Sequence, residues 1–317
     1  YYGGAIIVWE NSMVSWSASS SFTNNIAHYY GGAIFVWENS MVSWSAASSF
    51  INNIAEGDGG AIFVRDNSTV SCSAASSFTN NIAEGDGGAI FVWDSSTVSW
   101  SAASSFTNNL AGGDGGAIFV WETSTVSWSA ASSFTKNSAH GDGGALNLDN
   151  SVAFWSAETT FDGNNAEGLG GAVNIIEGSQ ISWNDTAAFT NNSAGIGGAL
   201  YADFDSNWVS WTGSTTFINN YAASNGGAIG SDGAETDQNV SVAAVNGATL
   251  FLNNTCGENG GAVALMGGLD INFDGEKVEF RHNIAEIAGG AVFIASTAVG
   301  PVFVDVHFIS NSAQEGG

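Results

Sequence analysis

A repeat of about 28 residues confines this chain more than any other feature, since a fixed period of that size belongs to stacked architectures. Gly-Gly-Ala begins at Gly3, Gly31, Gly59, Gly87, Gly115, Gly143, Gly170, Gly197, Gly226, Gly260 and Gly289, in steps of 28, 28, 28, 28, 28, 27, 27, 29, 34 and 29 residues. Phe-x-x-Asn recurs in register with it eleven times, from Phe22/Asn25 to Phe308/Asn311. The first five copies are nearly identical, the later ones drift, and the copy starting at Gly226 carries an insertion, Ser231 to Asn239. A length of 317 residues would ordinarily suggest about two globular domains. A chain with one period is counted in coils instead. Tyr1-Tyr2-Gly3-Gly4-Ala5 repeats Tyr29-Tyr30-Gly31-Gly32-Ala33, and Gly316-Gly317 stands where another copy would begin. Residues 1–317 are therefore expected to be a single array cut as a window from a longer repeat protein, with targeting signals outside it.

Comparing the copies with one another assigns faces. In the first β-type run, the positions of Ile34 and Val36 stay aliphatic and should point inward. The alternate position varies through Ile7, Phe35, Phe63, Phe91, Phe119, Asn147, Asn174, Tyr201 and Gly230, and its neighbour through Trp9, Trp37, Arg65, Trp93, Trp121, Asp149 and Ile176. That tolerance predicts an outward face. The second run alternates Val42-Ser43-Trp44-Ser45-Ala46, a period of two. Its Trp16, Trp44, Cys72, Trp100, Trp128 column stays apolar as far as Phe273 and Val304, which predicts burial. In the third run Phe22, Phe50, Phe78, Phe106 and Phe134 are followed by Asn25, Asn53, Asn81, Asn109 and Asn137, and neither residue type changes in any copy.

Three short strands cannot bury a core in one copy, but stacked copies can, each strand pairing in parallel with its equivalent about 4.8 Å away. The expected fold is all-β: a parallel, right-handed β-helix of about eleven coils with three strands each, roughly 50 Å long. The Asn column should form an internal amide ladder, and Gly-Gly should supply backbone angles that a side chain forbids. An α-helical repeat is disfavoured, because Ser, Thr, Val, Asn and Gly are poor helix formers.

The pairing of Gly-Gly-Ala-(Ile/Leu/Val) with Phe-x-x-Asn in one repeat resembles the chlamydial polymorphic membrane protein repeat, also found in large extracellular proteins of some algae and protists. The resemblance covers the whole chain. It implies a β-helical surface protein with a structural or adhesive role, located outside the cell or at its surface. The near-identical copies and the Trp columns depart from the usual family pattern, and no barrel domain of an autotransporter lies in the window.

Composition narrows the partners. With 30 Asp+Glu against 4 Lys+Arg, a net charge of −26 cannot neutralise phosphates, so nucleic acid and anionic membrane faces are poor partners. No apolar run approaches the roughly 18 residues that span a bilayer. The chain is 44% hydrophobic and 12% aromatic, which argues against disorder despite its 42 Gly. Enzymology finds little support. Lys136, Lys277, Arg65 and Arg281 are scattered, His28, His140, His282 and His307 fall in different copies, and acids that recur in register do not make one catalytic site. No catalytic residue and no required cofactor is expected.

Several features remain as candidates. Asp58, Asp86, Asp114 and Asp142 precede Gly-Gly in successive copies, and Glu10, Glu38, Asp66, Asp94 and Glu122 follow the first run. Like charges stacked at about 4.8 Å repel by on the order of 1 kcal/mol per pair even in water. A solvated edge screened by salt is one outcome, and Ca²⁺ held by Asp58, Asp86, Asp114 and Asp142 is the other. Trp9, Trp37, Trp93 and Trp121 beside Phe35, Phe63, Phe91 and Phe119 should form an exposed aromatic stripe, an association face for another copy, another extracellular structural protein or carbohydrate. The Ser43/Ser45, Ser71/Ser73 and Ser99/Ser101 rows read as a solvated or O-glycosylated face rather than an ice-binding one. Asn67, Asn184, Asn191, Asn239 and Asn253 lie in N-glycosylation sequons. Cys72 and Cys256 are six copies apart, too far for a disulfide, and should be buried thiols. The leading functional expectation is an extracellular structural rod or filament subunit, with a cell-surface adhesin or carbohydrate-binding β-helix as the alternative.

Overall fold

A computed structural model describes residues 2–203, 207–232, 241–266, 269–273, 277–295 and 302–316. The array is a parallel β-solenoid. Its strands form three sheets of eleven strands and a fourth of ten, and in each sheet a strand's neighbours are its equivalents in the coils on either side. The coil of Gly31 shows the pattern, with Ile34–Val36, Met41–Trp44, Ser48–Ile51 and Ile54–Ala55 contributing one strand to each sheet. The register is one repeat throughout: Ile34 pairs with Ile62, Val42 with Val70, Phe50 with Phe78, and Ala55 with Ala83. Among the described residues no helix is long and apolar enough to cross a membrane.

The coil thus has four strands where the sequence predicts three. The third run is cut by residues in the left-handed region, Asn24, Asn52, Asn80 and Asn108 at φ 53–57°. Asn tolerates that region better than most side chains, and the chain restarts two residues later as the short Ile-Ala strand. Paired asparagines therefore divide two tasks: Asn52 turns the chain outside while Asn53 enters the core.

Each glycine of Gly-Gly has its own reason. Gly59 sits at φ +66°, and a Cβ there would lie 2.4 Å from the carbonyl oxygen of Ile62 and 3.2 Å from the Cα of Phe63. The chain ahead of the first sheet doubles back across that sheet's outer surface. A Cβ on Gly60 would lie 2.1 Å from the carbonyl oxygen of Gly88 and 2.6 Å from the carbonyl carbon of Ile82, so the second glycine lets successive coils approach.

The core is one continuous column containing Ile34, Val36, Val42, Trp44 and Phe50 and their equivalents. Phe22, Phe50 and the nine phenylalanines stacked above them have ring centroids 4.6–5.0 Å apart. Beside them runs the asparagine ladder. Asn53 donates from its backbone N–H and from Nδ2 to Oδ1 of Asn81, at 3.0 and 2.9 Å, and its second Nδ2 proton reaches the Phe22 carbonyl at 3.0 Å. The same set recurs up to Asn283 and Asn311. The buried amides are thereby satisfied, as burial of polar groups requires. A second ladder has no counterpart in the sequence reading: the backbone N–H of Ser40, Ser68 and Ser96 donates to the hydroxyl of Ser68, Ser96 and Ser124 at 3.1–3.2 Å.

Among the described residues the inner tryptophans find hydroxyl partners except Trp100 and Trp183, and Cys72 explains the first of these exceptions. Trp44 Nε1 donates up the array to Ser76 at 2.9 Å, whereas Trp128 donates down it to Ser104 at 3.1 Å. Both rings lean toward the coil of Cys72, where the indole is missing. Trp100 is caught between them: the hydroxyls of Ser76 and Ser104 are taken, and its Nε1 has no hydrogen-bond partner among the described residues. At the far end the apolar column ends in Phe303, the register partner of Phe273, rather than the adjacent Val304. The two differ because the last copy departs from the regular spacing.

Candidate association surface

The outward side of the first sheet is only partly a surface. Phe35, Phe63, Phe91 and Phe119, expected as part of the exposed stripe, are between 0% and 6% exposed. The doubled-back corner covers them and makes a second, smaller core with Tyr30, Trp37, Trp93 and Trp121 at its margin. Tyr2 packs on Phe35 at 5.0 Å and Tyr30 stacks on Phe63 at 4.6 Å. Variation between copies cannot distinguish solvent from such a cover, because both tolerate exchange.

The tryptophans one position further on do reach the surface. Trp9 is 46% exposed, and Trp37, Trp93 and Trp121 are half-buried. Trp9 stacks on Trp37 at 5.3 Å and 3°, and Trp93 on Trp121 at 5.2 Å and 12°. Arg65 fills the break between the pairs, its guanidinium carbon 5.2 Å from the Trp37 ring centroid and 4.5 Å from that of Trp93. Five side chains therefore form one stack held by ring and cation–π contacts. Such a stack turns indole edges outward and spends the faces on neighbours. Sugar rings stack on indole faces, so this arrangement fits a protein partner better than a glycan.

The neighbouring acids lock the stripe. Trp9 Nε1 donates to Glu38 at 2.8 Å, Trp37 to Asp66, and Trp93 to Glu122 at 2.8 Å. Glu38, Asp66 and Glu122 occupy φ 48–55°, an unfavourable region for such side chains. The indole bond gives a reason for acids there. Asp94, which faces Arg65 instead of an indole, has its carboxyl pushed up chiefly by a hydrogen bond with Asp66.

The other acidic file is used internally. Oδ1 of Asp58, Asp86, Asp114 and Asp142 accepts the backbone N–H of Asp86, Asp114, Asp142 and Leu169 at 2.7–2.9 Å. Burial pushes the carboxyls of Asp58, Asp86 and Asp142 up despite those bonds; Asp86 reaches about 6, with the charges of Asp58 and Asp114 adding to the effect. Among the described residues no three Asp, Glu, His or Cys side chains converge as a metal site would require.

The remaining candidates are placed as follows. Asn67, Asn184, Asn191 and Asn253 are exposed, and Asn239 lies outside the described residues together with most of the insertion it ends. Cys72 and Cys256 are free and buried, and burial pushes both thiols up, Cys256 to about 11. In the serine rows, Ser73 turns its hydroxyl onto the Trp44 carbonyl at 3.1 Å. His28 pairs with Glu56 and His307 with Asp305, far apart along the array.

These files and ladders define the class of the molecule, a β-solenoid of tandem parallel coils. Seven of its segments, residues 19–36, 47–65, 75–92, 103–120, 131–148, 186–203 and 214–232, match the Chlamydia polymorphic membrane protein (Chlamydia_PMP) repeat. The repeat thus recurs seven times along the chain, and each match runs from the third strand through Phe-x-x-Asn and Gly-Gly-Ala into the next first strand. Comparison with curated proteins and with solved structures finds no match.

Proposed function

We propose that this chain is a rigid rod segment of a surface-associated, extracellular structural protein, and that it associates side by side with a second copy through Trp9, Trp37, Arg65, Trp93 and Trp121. The stack of half-exposed indole edges carries this reading. It is an aromatic surface that the corner leaves partly exposed on the regular coils, and it is held in place by Glu38, Asp66 and Glu122. Rigid aromatic groups lose little entropy on docking, which is why they concentrate binding energy at interfaces. Repetition adds to this: a contact made by one coil recurs at the next. Phe35, Phe63, Phe91 and Phe119 act behind the stripe as its support.

Sedimentation velocity of the chain and of a Trp37→Ser, Trp93→Ser, Trp121→Ser variant tests the proposal. Loss of association with an unchanged far-UV spectrum supports it. Undiminished association of a folded triple variant refutes it.

A further inference from the structure

Six buried side-chain polar atoms lack a hydrogen-bond partner among the described residues, and three of them, Asn147 Nδ2, Asp149 Oδ1 and Asn174 Oδ1, sit on two adjacent strands. Those strands are Leu146–Asp149 and Val173–Ile176, with Asn147 paired to Asn174 in register. Both asparagines are fully buried where earlier coils hold Phe91 and Phe119. Asn174 Nδ2 donates to Asn147 Oδ1 at 2.6 Å. Exchanging oxygen and nitrogen on both carboxamides leaves the same remainder, one oxygen and one NH2 without partners.

Asp149 projects from the same face, two residues beyond Asn147 and directly above Trp121. Burial pushes its carboxyl up to about 6, and the charges that act on it, Glu177, Asp203, Glu122 and Asp114, are all negative. A buried carboxylate oxygen, a buried amide oxygen and surrounding acids, with no Lys or Arg among the described residues acting on Asp149, are the complement of a hard divalent ion.

We propose that the Asp149 carboxylate, the carboxamide oxygen of the Asn147–Asn174 pair and the Glu177 carboxylate bind a calcium ion on the outer face of the first sheet. Water completes the six to eight oxygens calcium takes, and the leftover NH2 serves a bound carboxylate oxygen. With few protein ligands and an open side, the expected dissociation constant is on the order of 10⁻⁴–10⁻³ M, the range of extracellular modules. The site differs from the Asp58 to Asp142 file, whose Oδ1 atoms already accept backbone amides.

The position above Trp121 supplies the test, because terbium bound there is sensitised by the indole. Terbium should give saturable emission under indole excitation, displaced by calcium. Trp121→Phe should dim the emission without changing the calcium response of the melting temperature. That temperature should rise roughly 2–4 °C at tenfold excess over the dissociation constant. Asp149→Asn should abolish both signals and Asp86→Asn should abolish neither; the exposed Glu177→Gln should weaken binding should Asp149→Asn fail to fold. Emission that never saturates, or that saturates equally in folded Asp149→Asn protein, means diffuse cation condensation on the acidic edge and overturns the proposal.

Discussion

Replacing Asp86 by Asn should stabilise the rod at neutral pH. Oδ1 of Asp86 accepts the Asp114 amide at 2.7 Å, and a carboxamide oxygen can accept it equally well. The molecule already contains that exchange: further along the same file, Asn225 Oδ1 accepts the Asn259 backbone N–H at 3.2 Å and its Nδ2 at 3.0 Å. What the substitution removes is a charge held in a poorly solvated place. Burial first, then the charges of Asp58 and Asp114, raise the folded carboxyl from 3.8 to about 6. At 1.36 kcal/mol per pH unit that difference bounds the gain at roughly 3 kcal/mol, and solvent screening of its exposed part reduces it to about 1–2 kcal/mol. The sign follows from proton uptake. The folded state holds its proton at a higher pH than the unfolded state, so Asp86 costs nothing below pH 3.8 and its penalty grows as pH rises through 6. Urea unfolding at pH 7.5 and pH 4.5 should therefore show a clear gain for the variant at the higher pH and a much smaller one at the lower. Mass spectrometry should confirm the amide, since Asn before Gly87 is prone to deamidation. Equal stability at pH 7.5, or a gain of the same size at both values, would refute the account of this file.

Other expectations follow from the same geometry. Because Asp58, Asp86, Asp142 and Asp149 are all pushed up, the wild-type melting temperature should be higher near pH 5 than at pH 8, and calorimetry across that range checks it. Asn109→Ala should lower stability by about 3–5 kcal/mol, since it strips the Phe78 carbonyl and the Asn81 amide groups of their partners inside the core; denaturant titration measures it, and a loss under 1 kcal/mol would count against the ladder. Gly87→Ala should cost about 2 kcal/mol or more, because φ +63° and a Cβ 2.4 Å from the Ile90 carbonyl oxygen are both unfavourable, read as a fall in melting temperature. Neither Cys72 nor Cys256 should react with Ellman's reagent at pH 8 until denaturant is added.

Much of the fold is legible because a repeat offers an alignment within one chain. Fixed apolar columns such as Trp44 and Phe50 face inward, and the constant Asn53 position carries the ladder. Variation at Phe35 and Trp37 was ambiguous, since what covers Phe35 is backbone returning over the sheet through Gly31, and a sequence does not display the path of a corner. The aspartate file misleads for a related reason: Asp86 reads as solvated charge until the amide of Asp114 is seen above it. The serine ladder through Ser40, Ser68 and Ser96 was open to the column comparison that found the asparagines. The fourth strand was hidden by its length of two residues. The polar atoms around Asn147 and Asp149 stand where the outer column stops being aromatic, a change visible in the sequence but without meaning before burial is known.

The asparagine ladder also bears on how such a molecule changes over generations. Each Asn gives its backbone N–H and one Nδ2 proton to the Asn ahead, and its other Nδ2 proton to the Phe carbonyl behind, and the glycines and serines keep the same one-copy offset. Removing residues 57–84 would bring Glu56 to Gly85, and every asparagine and serine of the ladders that lost a neighbour would meet an identical one, while Trp93 and Trp100 would take the places of Arg65 and Cys72. Rod length is then a matter of copy number. Unequal recombination among the near-identical copies can lengthen or shorten the rod by about 4.8 Å at a time without opening a seam.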